Sequence, residues 1–260
     1  MKRLKMSARI FIVLLLLPFG LEACGDLTNT AVPSTATAIP ATATTLPTKA
    51  PATTQAATTA TLEGAFQFKL LPATSTLDSG LMTIGSQQAQ VTLTKYTDFR
   101  CPVCKRNFDQ AEQLLLNQYV STGKIKFTLQ TFPVIDMIRK DSESQLGGQA
   151  LLCAADQRRS WDYHDLAYNN FVGEVGGKLT ASYLKQMAQA LRLDTSQFNT
   201  CLDSGKYSQT IVDQTDAARK LGVSGTPTFS ITYQGQERLI KGNTFEILKA
   251  ELDKTLQAVA

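Results

Sequence analysis

The stretch Phe99-Arg100-Cys101-Pro102-Val103-Cys104 decides how the chain is read. Two cysteines stand two residues apart where one hydrophobic pattern gives way to another. Before them, Val91-Thr92-Leu93-Thr94-Lys95-Tyr96 is β-branched and aromatic, which predicts a strand over about Gln90–Asp98. After them, Phe108, Ala111, Leu114, Leu115 and Tyr119 recur at three- and four-residue spacing, which predicts a helix to about Val120. A cysteine heading a helix lies near unpaired amides and the positive end of the helix dipole. Both favour the thiolate, the form that attacks disulfides. Pro102 suits the first helical turn, where no amide donor is needed. Cys101 is thus the expected nucleophile and Cys104, one turn further in, its resolving partner. Arg100 could add positive charge beside them.

Working outward, Lys124-Ile125-Lys126-Phe127-Thr128-Leu129 alternates as a second strand, making a strand–helix–strand unit that Pro133 ends. From about Asp141 to Leu221 the pattern is helical, with Asp194 as a cap and Gly205 as a break. Thr228 to Tyr233 and Glu237 to Ile240 flank Gln234-Gly235 as a hairpin. Thr244 to Ala258 is a closing helix with Phe245, Leu248, Leu252 and Leu256 on one side. Before the first strand, Phe66 to Leu70 alternates and could be an edge strand.

The start of the chain carries different signals. Residues 1–24 have a basic beginning and an apolar run from Ile10 to Leu17, the pattern of an export signal. Leu21-Glu22-Ala23-Cys24 resembles a bacterial lipoprotein processing site, in which Cys24 would be lipidated and become the new N-terminus. Ordinary secretion and an uncleaved anchor are the alternatives. Residues 25–63 are mostly Thr, Ala and Pro, too poor in apolar surface to offset the entropy of ordering, and read as a disordered tether. Residues 64–260 read as the folded domain. The formal charge is +4, but Lys2, Arg3, Lys5 and Arg9 belong to the signal. Removing them together with Glu22 leaves +1, and a near-neutral domain gives no electrostatic case for nucleic acid.

The other cysteines are Cys153 and Cys201, and His164 is the sole histidine. One close cysteine pair and three scattered cysteines do not match zinc-ligand spacing, so no metal is expected. In an oxidising compartment Cys153 and Cys201 are read as a disulfide between two insertion helices, with inert buried thiols as the alternative. His164, between Tyr163 and Asp165, fits a packed structural residue better than a catalytic one. Trp161 reads as core or groove lining.

Four passages in order resemble the thioredoxin fold in its DsbA-like form, over about residues 80–258. They are Tyr96 to Cys104; Trp161-Asp162-Tyr163-His164-Asp165; Phe198 with Cys201 to Lys206; and Gly222-Val223-Ser224-Gly225-Thr226-Pro227-Thr228. The fold class implied is α/β, a thioredoxin fold with a helical insertion at about 141–221, between the strand–helix–strand unit and a cis-proline hairpin. The resemblance implies a cis Thr226–Pro227 bond lying against Cys101; a trans proline that merely starts a strand is the plain alternative. Proline cannot donate an amide bond, so the neighbouring strand edge stays open to a substrate backbone. Thr226, Pro102 and Val103 would line that place. The family usually has a buried acid six residues before the nucleophile, where this chain has Lys95. A charged lysine there would favour the Cys101 thiolate, unless its head reaches solvent. The Pro102-Val103 pair lacks the histidine of the family's strongest oxidants, which implies an intermediate potential.

The expected activity is that of an extracytoplasmic thiol–disulfide oxidoreductase, foremost an oxidase acting on reduced exported proteins. A membrane redox partner would reoxidise it, a lipid would anchor it to the outer face of the cell membrane, and no cofactor is expected. A reductase or isomerase of the same fold, and a non-catalytic surface lipoprotein used for binding, are the competing readings.

Overall fold

In the computed structural model, the residues described are Phe66 and 82–259, all within the unit Thr53–Ala260. The export signal, Cys24, the tether and the Phe66–Leu70 strand, apart from Phe66 itself, lie outside them.

Five strands form one mixed sheet in the order β1-β3-β2-β4-β5. They are β1 (Thr83–Gly85), β2 (Val91–Thr97), β3 (Ile125–Thr131), β4 (Thr228–Tyr233) and β5 (Gln236–Ile240). β2 and β3 run parallel, with Val91 opposite Ile125 and Thr97 opposite Thr131. β4 is antiparallel to β2 and sets Phe229 opposite Lys95 and Thr228 opposite Tyr96. β2 is therefore central and ends where the cysteine pair begins. Central strands lose water on both faces and need near-continuous apolar character. β2 satisfies this only in part: Thr94 and Lys95 are buried with Val91, Leu93 and Tyr96.

Residues 102–120 form one continuous helix, the active-site helix, with π-type turns at Phe108–Glu112 and Leu116–Val120. Its buried face carries Phe108, Ala111, Leu115, Leu116 and Tyr119. All of these but Ala111 pack in one cluster with Leu93, Phe127 and Phe229 of the sheet and with Leu248 and Leu252 of the closing helix, Phe245–Gln257. Trp161, Tyr163 and Leu166 join the same cluster from the insertion, and the Trp161 ring lies 5.1 Å from that of Phe127. A smaller cluster of Tyr96, Phe132, Ala218 and Val223 fixes the end of the insertion.

The insertion is helical from Val134, not from Asp141. Pro133 does close β3, but it also caps the short helix Val134–Arg139 that follows at once. The longer helices are Glu143–Ala155, Ser160–Asn169, Ala181–Ala190, Thr195–Asp203 and Ser208–Leu221. Asp194 caps Thr195–Asp203 by accepting from the Gln197 amide at 3.0 Å. Gly222 ends Ser208–Leu221 with φ +103°, the left-handed position that favours glycine. A disulfide joins Cys153 to Cys201 and ties two of these helices across 48 residues. No helix among the described residues is long and apolar enough to cross a membrane.

Candidate active site

Cys101 occupies the N-cap of the active-site helix in an extended conformation, with φ −77° and ψ 118°. Pro102 opens the first turn. Cys101 is 4% exposed and Cys104 fully buried, while Val103 between them is 37% exposed. Both cysteines are free thiols. The Thr226–Pro227 bond is cis and immediately precedes β4, which places it beside the end of β2. The Cys101 thiol donates to the Thr226 carbonyl oxygen at 3.3 Å. The proline loop is itself braced, since the Thr228 hydroxyl donates to the Gly225 carbonyl at 2.7 Å and Asn243 Nδ2 to that of Pro227 at 3.5 Å.

This geometry separates the two sulfurs electrostatically. The Cys101 thiol is lowered to about 6, foremost because Cys104 hydrogen-bonds to its sulfur. Burial opposes the shift, while the Thr226 side chain and the backbone amides of Cys104 and Val103 reinforce it. Cys104 is pushed well up by burial, and by serving as the hydrogen-bond partner of an anion. One sulfur is thus an anion near neutral pH and the other a thiol. That is the asymmetry thiol–disulfide exchange needs: a good leaving group outside and a partner held in reserve inside.

Lys95 is wholly buried and does not reach solvent. Its ammonium donates to Glu112, also wholly buried, on the active-site helix, and lies 5.1 Å from the centre of the Tyr168 ring. Its charge favours the anion of Cys104 rather than appearing among the groups that hold Cys101. The sequence places this charge at Cys101; the structure shows it acting on Cys104. Arg100 needs the same correction. Its fully buried guanidinium engages Asp136 and Asp141.

His164 lies in a cage of rings. The centres of Tyr168, Trp161, Phe108 and Phe99 stand 4.9, 5.5, 5.6 and 6.0 Å away. Burial holds it far below its usual range, so it is neutral. Its Nδ1 is 3.4 Å from Glu112 Oε1 and 3.3 Å from Asp165 Oδ1. Donor atoms of Glu112, His164 and Asp165 fall within 4.8 Å of one another. The Lys95 ammonium already neutralises Glu112 there, and a second cation would meet it among groups wholly buried from solvent. We assign no metal to this cluster.

Glu112 and Asp98 are site residues that the sequence reading passed over. Glu112 was detectable as the one acid on an otherwise apolar helical face. Asp98 accepts from the amides of Arg100 and Ile135, each at 2.9 Å, and burial lifts its carboxyl to about 6.

Fold and site together describe a dithiol redox centre of the thioredoxin class. A family model described as thioredoxin matches residues 78–254, and the chain belongs to that family. It is 25% identical over 177 residues to a probable disulfide bond formation protein D of Bacillus anthracis, covering 67% of this chain and 78% of that one. It is 30% identical over 147 residues to the Na(+)/H(+) antiporter NhaA 3 of Salinispora tropica. That match covers 56% of this chain but spans only about a fifth (21%) of the antiporter's length. Among solved structures, oxidised BdbD of Bacillus subtilis superimposes with a TM-score of 0.60 at 19% identity, covering 70% of this chain and 96% of that one. Wolbachia pipientis α-DsbA1 does so with 0.58 at 18% identity, covering 72% and 96%. At such identities the likeness concerns the fold.

Proposed function

We propose that this chain is an extracytoplasmic thiol–disulfide oxidoreductase that introduces disulfides into exported proteins through Cys101 and Cys104. The observation that carries the reading is the placement of Cys101: a helix-capping sulfur hydrogen-bonded to the Thr226 carbonyl, beside the cis Thr226–Pro227 bond. In the oxidised state a substrate thiolate attacks Cys101 Sγ and breaks the Cys101–Cys104 bond. Cys104 leaves as a thiolate and takes up a proton. The substrate's second thiolate then attacks its own sulfur in the mixed disulfide, and Cys101 leaves as a thiolate. Two electrons pass from substrate to enzyme, and the substrate gains one disulfide. A membrane redox partner that accepts those two electrons restores the pair.

The anion supports this direction. Stabilising the Cys101 thiolate stabilises the reduced enzyme and makes its disulfide the stronger oxidant. The sign is that of a lowered acid. The stabilisation is fully present above the ordinary thiol range and is lost as pH falls through about 6. Pro227 would leave the backbone just ahead of β4 open to a substrate backbone, with Thr226, Pro102 and Val103 around it. Export of the domain, lipidation of Cys24 and tethering through residues 25–63 are supported by the sequence of the first 63 residues. They would hold the domain near the outer membrane face where exported chains emerge.

The reduction potential, together with oxidative refolding of a reduced substrate, tests this. Reference proteins lie at about −120 mV for DsbA and about −270 mV for thioredoxin. The expected result is a value between them, with catalysed formation of substrate disulfides. A value at the thioredoxin end, with reduction of substrate disulfides instead, would favour the reductase reading. Absence of any exchange would favour a binding module.

A further inference from the structure

The three residues before Cys101 are held from the insertion by more bonds than a turn requires. The Cys101 amide donates to the Asp98 carbonyl at 3.1 Å, closing the turn. The Tyr168 hydroxyl, on the helix Ser160–Asn169, donates to the same carbonyl at 3.0 Å. Asp98 Oδ2 accepts from the Ile135 amide. Arg100 then reaches across. Its Nη1 donates to Asp136 Oδ1 at 3.1 Å and to Asp141 Oδ1 at 2.6 Å; its Nη2 donates to Asp141 Oδ2 at 3.0 Å and to the Glu174 carbonyl at 2.9 Å. Asp136 is fixed in turn by the amides of Ser144 and Gln145, at 2.8 and 2.7 Å, where the helix Glu143–Ala155 begins. Glu143 accepts from the amides of Gly177 and Leu179 and steadies the loop that presents the Glu174 carbonyl.

We infer that Arg100, with Asp136 and Asp141, is a clamp through which the insertion positions Cys101, so that Arg100 is a positioning residue for exchange and acts by its forked shape rather than as a nearby charge. The inference rests on the exchange reading above only for the consequence, not for the geometry. Cys101 owes its anion foremost to its hydrogen bond with Cys104, with the nearby backbone amides adding to it, and hydrogen bonds weaken steeply when misaimed. Two sides fix that aim: Thr226 and Pro227 on one, the Arg100 clamp on the other. A planar guanidinium can span two carboxylates and a carbonyl; a lysine carries the charge but not the fork.

The test is the pH dependence of Cys101 alkylation in the reduced full-length protein, for Arg100→Lys and Asp141→Asn. Asp141 is the most exposed partner, and its amide variant spares the interior. An intact Cys153–Cys201 disulfide and a cooperative melt certify folding. If charge alone acted, Arg100→Lys would leave Cys101 unchanged, and Asp141→Asn, which deletes a negative charge, would speed its alkylation. The clamp predicts the reverse. Both variants should raise the Cys101 midpoint by about one unit, which is about fivefold slower alkylation at pH 6. Either variant reacting at the wild-type rate or faster overturns the clamp. The alkylation readout stands whether or not the protein oxidises substrates. A chain with slowed variants but no wild-type exchange would retain the clamp and lose the proposed function.

Discussion

Replacing Lys95 with methionine should destabilise the protein by about 3–5 kcal/mol, the cost of leaving one member of a buried ion pair alone. Lys95 and Glu112 are both inaccessible to solvent. Burial already raises the Glu112 carboxyl, and Lys95 is the charge that opposes that rise. Without the lysine, Glu112 would hold its proton more strongly when folded than when unfolded. A raised carboxyl contributes stability at low pH that is lost as pH rises, so the variant should be harmed less at pH 5 than at pH 8. The inner sulfur should suffer as well. Lys95 is the positive charge favouring a Cys104 anion, and Cys104 must become one to leave in the first step or to clear a stalled mixed disulfide. Urea unfolding at both pH values checks the first effect. Gel analysis of persistent mixed disulfides checks the second. A loss under 1 kcal/mol with no pH dependence would show that the pair stabilises nothing.

Removing the Cys153–Cys201 disulfide, by alanine at both positions, should cost about 4 kcal/mol in the chain-entropy treatment of a loop this long. The bond closes 48 residues and joins the helices Glu143–Ala155 and Thr195–Asp203. The Glu143–Ala155 helix also seats the amides that hold Asp136. Its loosening should therefore reach the Cys101 turn. Thermal or urea unfolding of the double variant measures the cost, and mild reduction of the wild type should reproduce it. Equal stability with and without the bond would mean that the insertion is held by packing alone.

What could be read in the sequence was whatever depends on neighbours along the chain. β2 and β3 show their pairing character in Val91 to Tyr96 and in Ile125 to Leu129. The hairpin shows in Gln234-Gly235, and the closing helix in Phe245, Leu248 and Leu252. The cysteine pair is legible for the same reason, since a helix start and a two-residue spacing are local facts. β1 is not legible because three residues carry no periodicity and Gly85 ends the strand with φ +114°. The helix Val134–Arg139 is not legible because Pro133 signals a stop as readily as a start, and a proline can stand just ahead of a helix. Contacts made by packing were out of reach. Lys95 meets Glu112 from 17 residues away, on another element. Arg100 sits next to Cys101 in the chain, yet its side chain spends its charge on Asp136 and Asp141, 36 and 41 residues on. Adjacency in sequence says little about where a long side chain points.

Everything proposed for exchange depends on the ionisation of one sulfur. Thiolate absorbance of the reduced protein, followed against pH for the wild type and for Cys101→Ala, measures it directly. The expected result is a single transition near pH 6 that is absent from Cys101→Ala. A first transition in the ordinary thiol range, about 8.5, or one that persists without Cys101, would contradict the account.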